Sequence, residues 1–206
     1  MVRKQSRSEP VMRAVVEAVA DRLRVGDESK IRIPEVCAAT GVNYGSVYHH
    51  FGSREAVIDA AYDMLFSDLV ERDLALAHDV LERVETREEF AAVMGEAIAF
   101  MTAGPERAAS RALRMRIVAV SLTRPGLRER IARTQTRLTD QVRLIAERAQ
   151  SRGWIPEEFS AHALAVVIQA LVFGRNLDDV AERPIEQALW DGFARRFVAE
   201  LLVDDA

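Results

Sequence analysis

From Ile33 to Phe51 the chain reads Ile-Pro-Glu-Val-Cys-Ala-Ala-Thr-Gly-Val-Asn-Tyr-Gly-Ser-Val-Tyr-His-His-Phe, and its last eight residues combine tyrosine, serine and histidine without one carboxylate. Such side chains offer hydrogen bonds to phosphates and base edges. Freedom from acid is what an anionic partner requires. Two short helices joined by a turn of about four residues containing Gly41 have the layout of a helix-turn-helix, whose second helix enters a major groove. With Val36, Val42, Val47 and Phe51 packed inward, a rotation of about 100° per residue leaves Gly45, Ser46, Tyr48 and His49 facing outward. Gly45 lets the helix backbone come close to a partner. The same spacing also fits a tight helical hairpin in a core, with Tyr48 and the histidines on its wet face. Spacing alone leaves both readings open.

No other chemistry stands out. The four histidines (49, 50, 78 and 162) lack metal-ligand spacing, since neighbours on a helix diverge and neither His49 nor His50 has a carboxylate four residues on. There is no phosphate-binding glycine loop and no nucleophile elbow. The lone Cys37 lies where small residues pack and reads as core. We therefore expect neither an enzyme nor a metal or other cofactor.

The elements that must position this stretch are helical throughout. In 206 residues, 49% are apolar and 29% charged, with 10 Gly and 6 Pro. Apolar residues recur at i, i+3 and i+4, and no run alternates as a strand would. The expected fold class is all-α. The first helix is expected over about 10–24, with Pro10 in its first turn and Met12, Val15, Val16, Val19 and Leu23 as its buried stripe. Short helices over about 33–40 and 44–51 follow, the second opened by Asn43 as N-cap. Ser53 caps a longer helix from Arg54. Further helices are expected over about 68–84, 87–103, 105–122, 125–151, 160–180 and 184–202.

Charge is uneven along the chain. The whole carries −4, but residues 1–54 carry +3 and the remainder −7. A basic head on an acidic body suits nucleic acid. Arg3, Lys4 and Arg7 form either a mobile arm reaching the minor groove or a solvated tail. A single cysteine suits a reducing cytosol, so a cytoplasmic location is expected. No 18-residue stretch is free of charge, which argues against a membrane partner. The basic N-terminus lacks the apolar stretch of a signal peptide.

Residues 10–62 resemble the DNA-binding head of the TetR family of bacterial transcriptional regulators. The resemblance rests on Gly41-Val42, on Gly45-Ser46-Val47-Tyr48-His49-His50-Phe51 and on Ser53-Arg54-Glu55-Ala56-Val57. It implies a helix-turn-helix domain over 1–54 and a helical ligand-binding and dimerisation domain over 55–206. Tyr44, Gly45, Ser46, Tyr48 and His49 would then approach bases and phosphates. Arg54 would hold a phosphate beside the amides of its own helix. The chain departs from the family at the second helix, where Arg32 replaces the usual Thr or Ser cap and Pro34 can donate nothing. Lys30 and Arg32 could supply charge there instead.

In the body, residues 161–174 are apolar on nearly every side, and the last helix steps through Ile185, Leu189, Phe193, Phe197 and Leu201. Helices like these must be covered. The resemblance implies a homodimer in which they pair with their copies through Val167, Leu171, Ile185, Leu189, Phe193 and Phe197. The alternative is packing within one subunit. Two-fold symmetry would dictate a palindromic double-stranded operator with half-sites about 34 Å apart. The family also implies a pocket for a small molecule of largely apolar character, with Met94, Ile98, Met101, Met115, Val118, Leu122, Gln169 and Phe173 as candidates. Stripes of this kind at helical spacing are more often plain core. Arg111, Arg114 and Arg116 offer charge to an acidic head group, or form a solvated face. The expected function is a DNA-binding regulator, acting as a repressor released by its ligand. The competing function is a helical small-molecule-binding or interaction protein that has lost DNA binding.

Overall fold

The computed structural model describes residues 5–82 and 84–202, with the side chains of 5–8, 76–82 and 201–202 outside the description. Arg3, Lys4 and the side chains of Arg7 and Leu201 therefore lie outside the described residues. Nine α-helices and one 3-10 turn account for the regular structure described: α1 Gln5–Val25, the turn Glu28–Lys30, α2 Ile33–Thr40, α3 Tyr44–Phe51, α4 Arg54–Glu82, α5 Arg87–Thr102, α6 Gly104–Ser121, α7 Pro125–Ser151, α8 Ala161–Asp179 and α9 Gln187–Leu202. The all-α expectation holds.

Three boundaries differ from expectation. α1 starts five residues early and carries Pro10 inside it. The missing N–H there costs one bond, the one residue 10 would make to the carbonyl of residue 6 in the second turn. The two helices expected over 54–84 are one helix of 29 residues. No glycine or proline interrupts residues 54–82, and amphipathic phase alone does not mark an end. α9 opens at Gln187, so Ile185 precedes it; the Ile185 N–H donates to the Asp178 carboxylate at 3.0 Å.

The chain forms two compact units, Met1–Asp68 with Ile117–Ala132, and Leu69–Arg116 with Arg133–Ala206. In the first, the expected α1 stripe is buried, with Val15, Val19 and Leu23 fully enclosed, together with Ile33, Val36, Val47, Ile58 and Phe66. In the second, α5 opens with a capping box in which the Thr86 hydroxyl accepts from the Glu89 N–H while the Glu89 carboxylate accepts from the Thr86 N–H. Phe90, Met94 and Ile98 of α5 cluster with Ile145 and Ala149 of α7, Leu164 of α8 and Ala194 and Val198 of α9. Gly95 lets α5 and α9 meet, because a Cβ built there would lie 3.0 Å from Arg195 Cα.

Candidate nucleic-acid interface and ligand cavity

The geometry of α3 follows from its flanks. Gly41 ends α2 in the left-handed conformation, φ 68°, a position that favours glycine. The Asn43 side chain then accepts from the Ser46 N–H and opens α3. Gly52, φ 82°, closes it, and the Ser53 hydroxyl accepts from the Ala56 N–H at 3.1 Å to open α4. Only Val47 of α3 is fully buried; Tyr44, Gly45, Ser46, His49 and His50 are exposed and Tyr48 half-exposed. The tyrosines are a pair, their ring centroids 4.5 Å apart. The hydrogen bond to Tyr48 pushes the Tyr44 phenol above its ordinary pKa. This pairing went unread in the sequence, although the i, i+4 spacing carries it.

The turn before α2 is held from several sides. Asp27 caps it, accepting from the Ser29 N–H at 2.8 Å. Arg32 makes no side-chain cap on α2; its Nη1 donates to the Ser29 carbonyl at 2.6 Å. Lys30 and Arg32 are both exposed. Arg54 donates from Nη2 to the Glu28 carbonyl at 2.5 Å and from Nε to the Ile31 carbonyl at 3.3 Å. The guanidinium expected on a phosphate thus already holds two main-chain carbonyls. Arg124, between α6 and α7, donates from Nη2 to Glu28 Oε1 at 2.5 Å and from Nη1 to Asp59 Oδ1 at 2.8 Å. Burial acts to lower the Arg124 pKa, but hydrogen bonds to Asp59 and Glu28 outweigh it and the value is raised. Sequence reasoning missed Arg124, Glu28 and Asp59. They stand 96 and 65 positions apart, and no local pattern joins them.

Residues 29–61, which span this turn, α2, α3 and the start of α4, match the family described as bacterial regulatory proteins, tetR family. The match falls on the helix-turn-helix region and makes this part of the chain similar to the TetR-family head. Over 198 residues the chain is 23% identical to the HTH-type transcriptional regulator UidR of Escherichia coli K12, covering 96% of each chain. Among solved structures the fold is similar to Salmonella enterica GusR, with TM-score 0.67, 20% identity and coverage of 94% of this chain and 95% of that one. It is also similar to a putative transcriptional regulator from Saccharomonospora viridis in complex with choline, with TM-score 0.69, 14% identity and coverage of 93% and 96%. A TetR-family regulator of Cytophaga hutchinsonii gives TM-score 0.70 at 17% identity, with 97% and 98% covered. These structural likenesses bear on the fold alone. Its similarities are thus to DNA-binding transcriptional regulators, in the head by family model and along the whole chain by the likeness to UidR.

The second unit encloses a cavity of about 30 Å³ lined by Phe90, Met94 and Ile98 of α5, Val142, Ile145 and Ala146 of α7, Ile155 between α7 and α8, Leu164, Val167, Ile168 and Leu171 of α8, and Phe197 and Val198 of α9. The wall is apolar throughout. Of the eight pocket candidates, Met94 and Ile98 line it, and Met101 packs against the surrounding core. Met115 is half-buried on α6, while Val118 and Leu122 fall in the first unit, Leu122 with 64% of its surface exposed. Gln169 is engaged by α7, accepting from Gln135 Nε2 at 2.6 Å and donating to the Thr139 hydroxyl at 3.2 Å. Phe173 lies on the exposed side of α8.

The interface candidates divide as well. Leu171 and Phe197 line the cavity wall, and Val167 lines it while remaining partly exposed. Ile185, Leu189 and Phe193 are exposed, joined by Val166, Leu177 and Val180, which the sequence reading did not name. Arg111 is buried and bidentate on Asp179, at 3.0 and 2.8 Å, and Arg114 pairs with Asp73 at 2.5 Å. Their charges are committed inside the unit. Arg116 is half-buried. No described helix is long and apolar enough to cross a membrane.

Proposed function

We propose that the protein is a homodimeric repressor that holds a palindromic operator and releases it when a small, largely apolar molecule occupies the second unit. The observation that carries this reading is α3, an eight-residue helix that buries one side chain and turns a carboxylate-free polar face outward. A phosphate-lined groove accepts such a face without like-charge repulsion. In this reading residues 1–54 act as the head and 55–206 as the body. Tyr44, Gly45, Ser46, Tyr48 and His49 approach bases and phosphates, while Lys30, Arg32 and Arg54 carry backbone charge beside them.

The dimer is supported by apolar exposure on α8 and α9. Leu177 and Leu189 are 74% and 61% exposed, with Phe173 and Phe193 beside them in chain order on the same helices. A stable interface of about 1,600 Å² would cover such side chains. The ligand class is supported by the cavity's wholly apolar wall, in which an unpaired charge would be costly. Met94 supplies an adaptable side chain there. That the Saccharomonospora relative is in complex with choline shows a small molecule held by a protein of this fold. Ligand and operator would weaken one another equally, by about 5–150-fold for a coupling of ~1–3 kcal/mol.

The test is selection of duplexes from a random pool by the purified full chain. We expect an inverted repeat bound by a two-fold dimer. Enrichment of nothing, or of a site without symmetry, would overturn the reading. An inducer that binds the free protein and the operator complex with equal affinity would refute the release mechanism.

A further inference from the structure

The segment from Asp27 to Arg32 carries Lys30 and Arg32 on its exposed side and delivers the chain into α2. Its conformation is not set by local propensity alone. Ile31 and Ile33 anchor it from below, both almost wholly buried. Arg54 holds its carbonyls from α4. Arg124 holds the carboxylate of Glu28, bridging it to Asp59 on α4.

We propose that Arg124 is a positioning residue for DNA binding: through Glu28 it fixes the turn that presents Lys30 and Arg32, and so sets the affinity without touching DNA. Both its ion pairs are largely shielded, with the Arg124 side chain 24% exposed, Glu28 26% and Asp59 17%. The second carboxylate oxygen, Glu28 Oε2, is buried with no hydrogen-bond partner among the described residues. Glu28 therefore depends on the bond at Oε1 for its neutralisation. Taking Arg124 away leaves two carboxylates close together without their shared cation, one of them on the turn itself. A half-buried carboxylate that loses its partner moves toward water. The backbone of Glu28 must follow, pulling against the bond from Arg54 and against the 3-10 hydrogen bond from the Ile31 N–H to the Glu28 carbonyl at 3.1 Å. Lys30 and Arg32 are then presented in many orientations instead of one. Phosphate contacts lose preorganisation, but their number stays the same.

That last distinction makes the proposal testable. Full-length Arg124→Gln, Arg124→Lys and Glu28→Gln are titrated, over a series of salt concentrations, with the duplex recovered by selection and with a random-sequence duplex. Amide hydrogen exchange is followed at Ile31, Glu35 and Val36, whose N–H groups bond to Glu28 and Arg32. Arg124→Gln is expected to weaken both duplexes by about tenfold. The slope of log affinity against log salt should be unchanged, since the count of neutralised phosphates is unchanged. Exchange at the three amides should quicken, and Arg124→Lys should recover part of the affinity. The double variant Arg124→Gln with Glu28→Gln should be no weaker than Arg124→Gln alone, because the two act as a unit. A slope lower by about one would mean that Arg124 itself meets a phosphate, and would overturn the proposal. So would unchanged affinity and exchange in a folded variant, or a lower melting temperature with DNA binding intact. Should Arg124→Gln fail to fold, Glu28→Gln carries the same measurement, with the same loss and the same unchanged slope required of it.

Discussion

Tyr48 holds a half-buried place on α3 with Tyr44 against its ring, so a base or phosphate would meet a pair of phenols already fixed with respect to each other. Preorganisation of this kind lowers the ordering cost of binding. Tyr48→Ala and His49→Ala are each expected to weaken the selected operator by about 1–3 kcal/mol and to relax preference at the bases they meet. Fluorescence anisotropy on the operator and on single-base variants measures both effects; equal affinity for all of them would remove these side chains from the footprint. Arg54→Ala should weaken every duplex alike and lower the salt slope by about one. An unchanged slope would confine Arg54 to its bonds with the carbonyls of Glu28 and Ile31. The two arginines thus differ in one observable, although both hold the same turn.

At the scale of helices, the meeting of α5 and α9 in the second unit is the most exacting contact. A methyl group on Gly95 would lie 3.0 Å from Arg195 Cα and 3.2 Å from Arg195 Cγ. The Cγ belongs to a flexible side chain and can move. The Cα is main chain and moves only if the helices part. Gly95→Ala is expected to destabilise the fold by about 1–3 kcal/mol in spite of alanine's better helix propensity. Chemical denaturation checks this, and a stabilised variant would show that the helix pair yields easily. Phe90, Met94 and Ile98 lie on the same helix and line the cavity. Parting α5 from α9 should therefore also enlarge the space offered to an apolar ligand.

At the scale of the whole molecule, exposed large apolar side chains among the described residues recur on α8, on α9 and in the segment between them. Leu189→Glu, at a side chain 61% exposed, spares the core of the subunit and places a charge where a second copy would pack. We expect it to turn the proposed dimer into a folded monomer in sedimentation velocity, with operator affinity reduced at least a hundredfold because two heads no longer bind as one. A Leu189→Glu protein that stays dimeric would place the interface elsewhere.

Much of this protein could be read directly from its residues. Asn43, Gly41, Gly52 and Ser53 announce the ends of α2, α3 and α4 because caps and left-handed positions admit few residue types. Val15, Val19 and Leu23 announce the buried side of α1 because a helix repeats its face every three or four residues. The polar face of α3 was legible for the same reason. Other features were not. Leu171 and Phe197 share the apolar spacing of Leu189 and Phe193, yet the former pair line an interior cavity and the latter lie on the surface. Periodicity tells which residues avoid water and does not tell which neighbour covers them. The bridge from Arg124 to Glu28 and Asp59, and the commitment of Arg111 to Asp179, join residues tens of positions apart. The sequence by itself determined the helical class, the capped ends around α2 and α3 and the polar character of the outer face of α3, since these depend on interactions within a few residues. Only the tertiary structure decided which charges are already paired and which apolar side chains enclose the cavity, because that depends on the packing of segments distant in the chain.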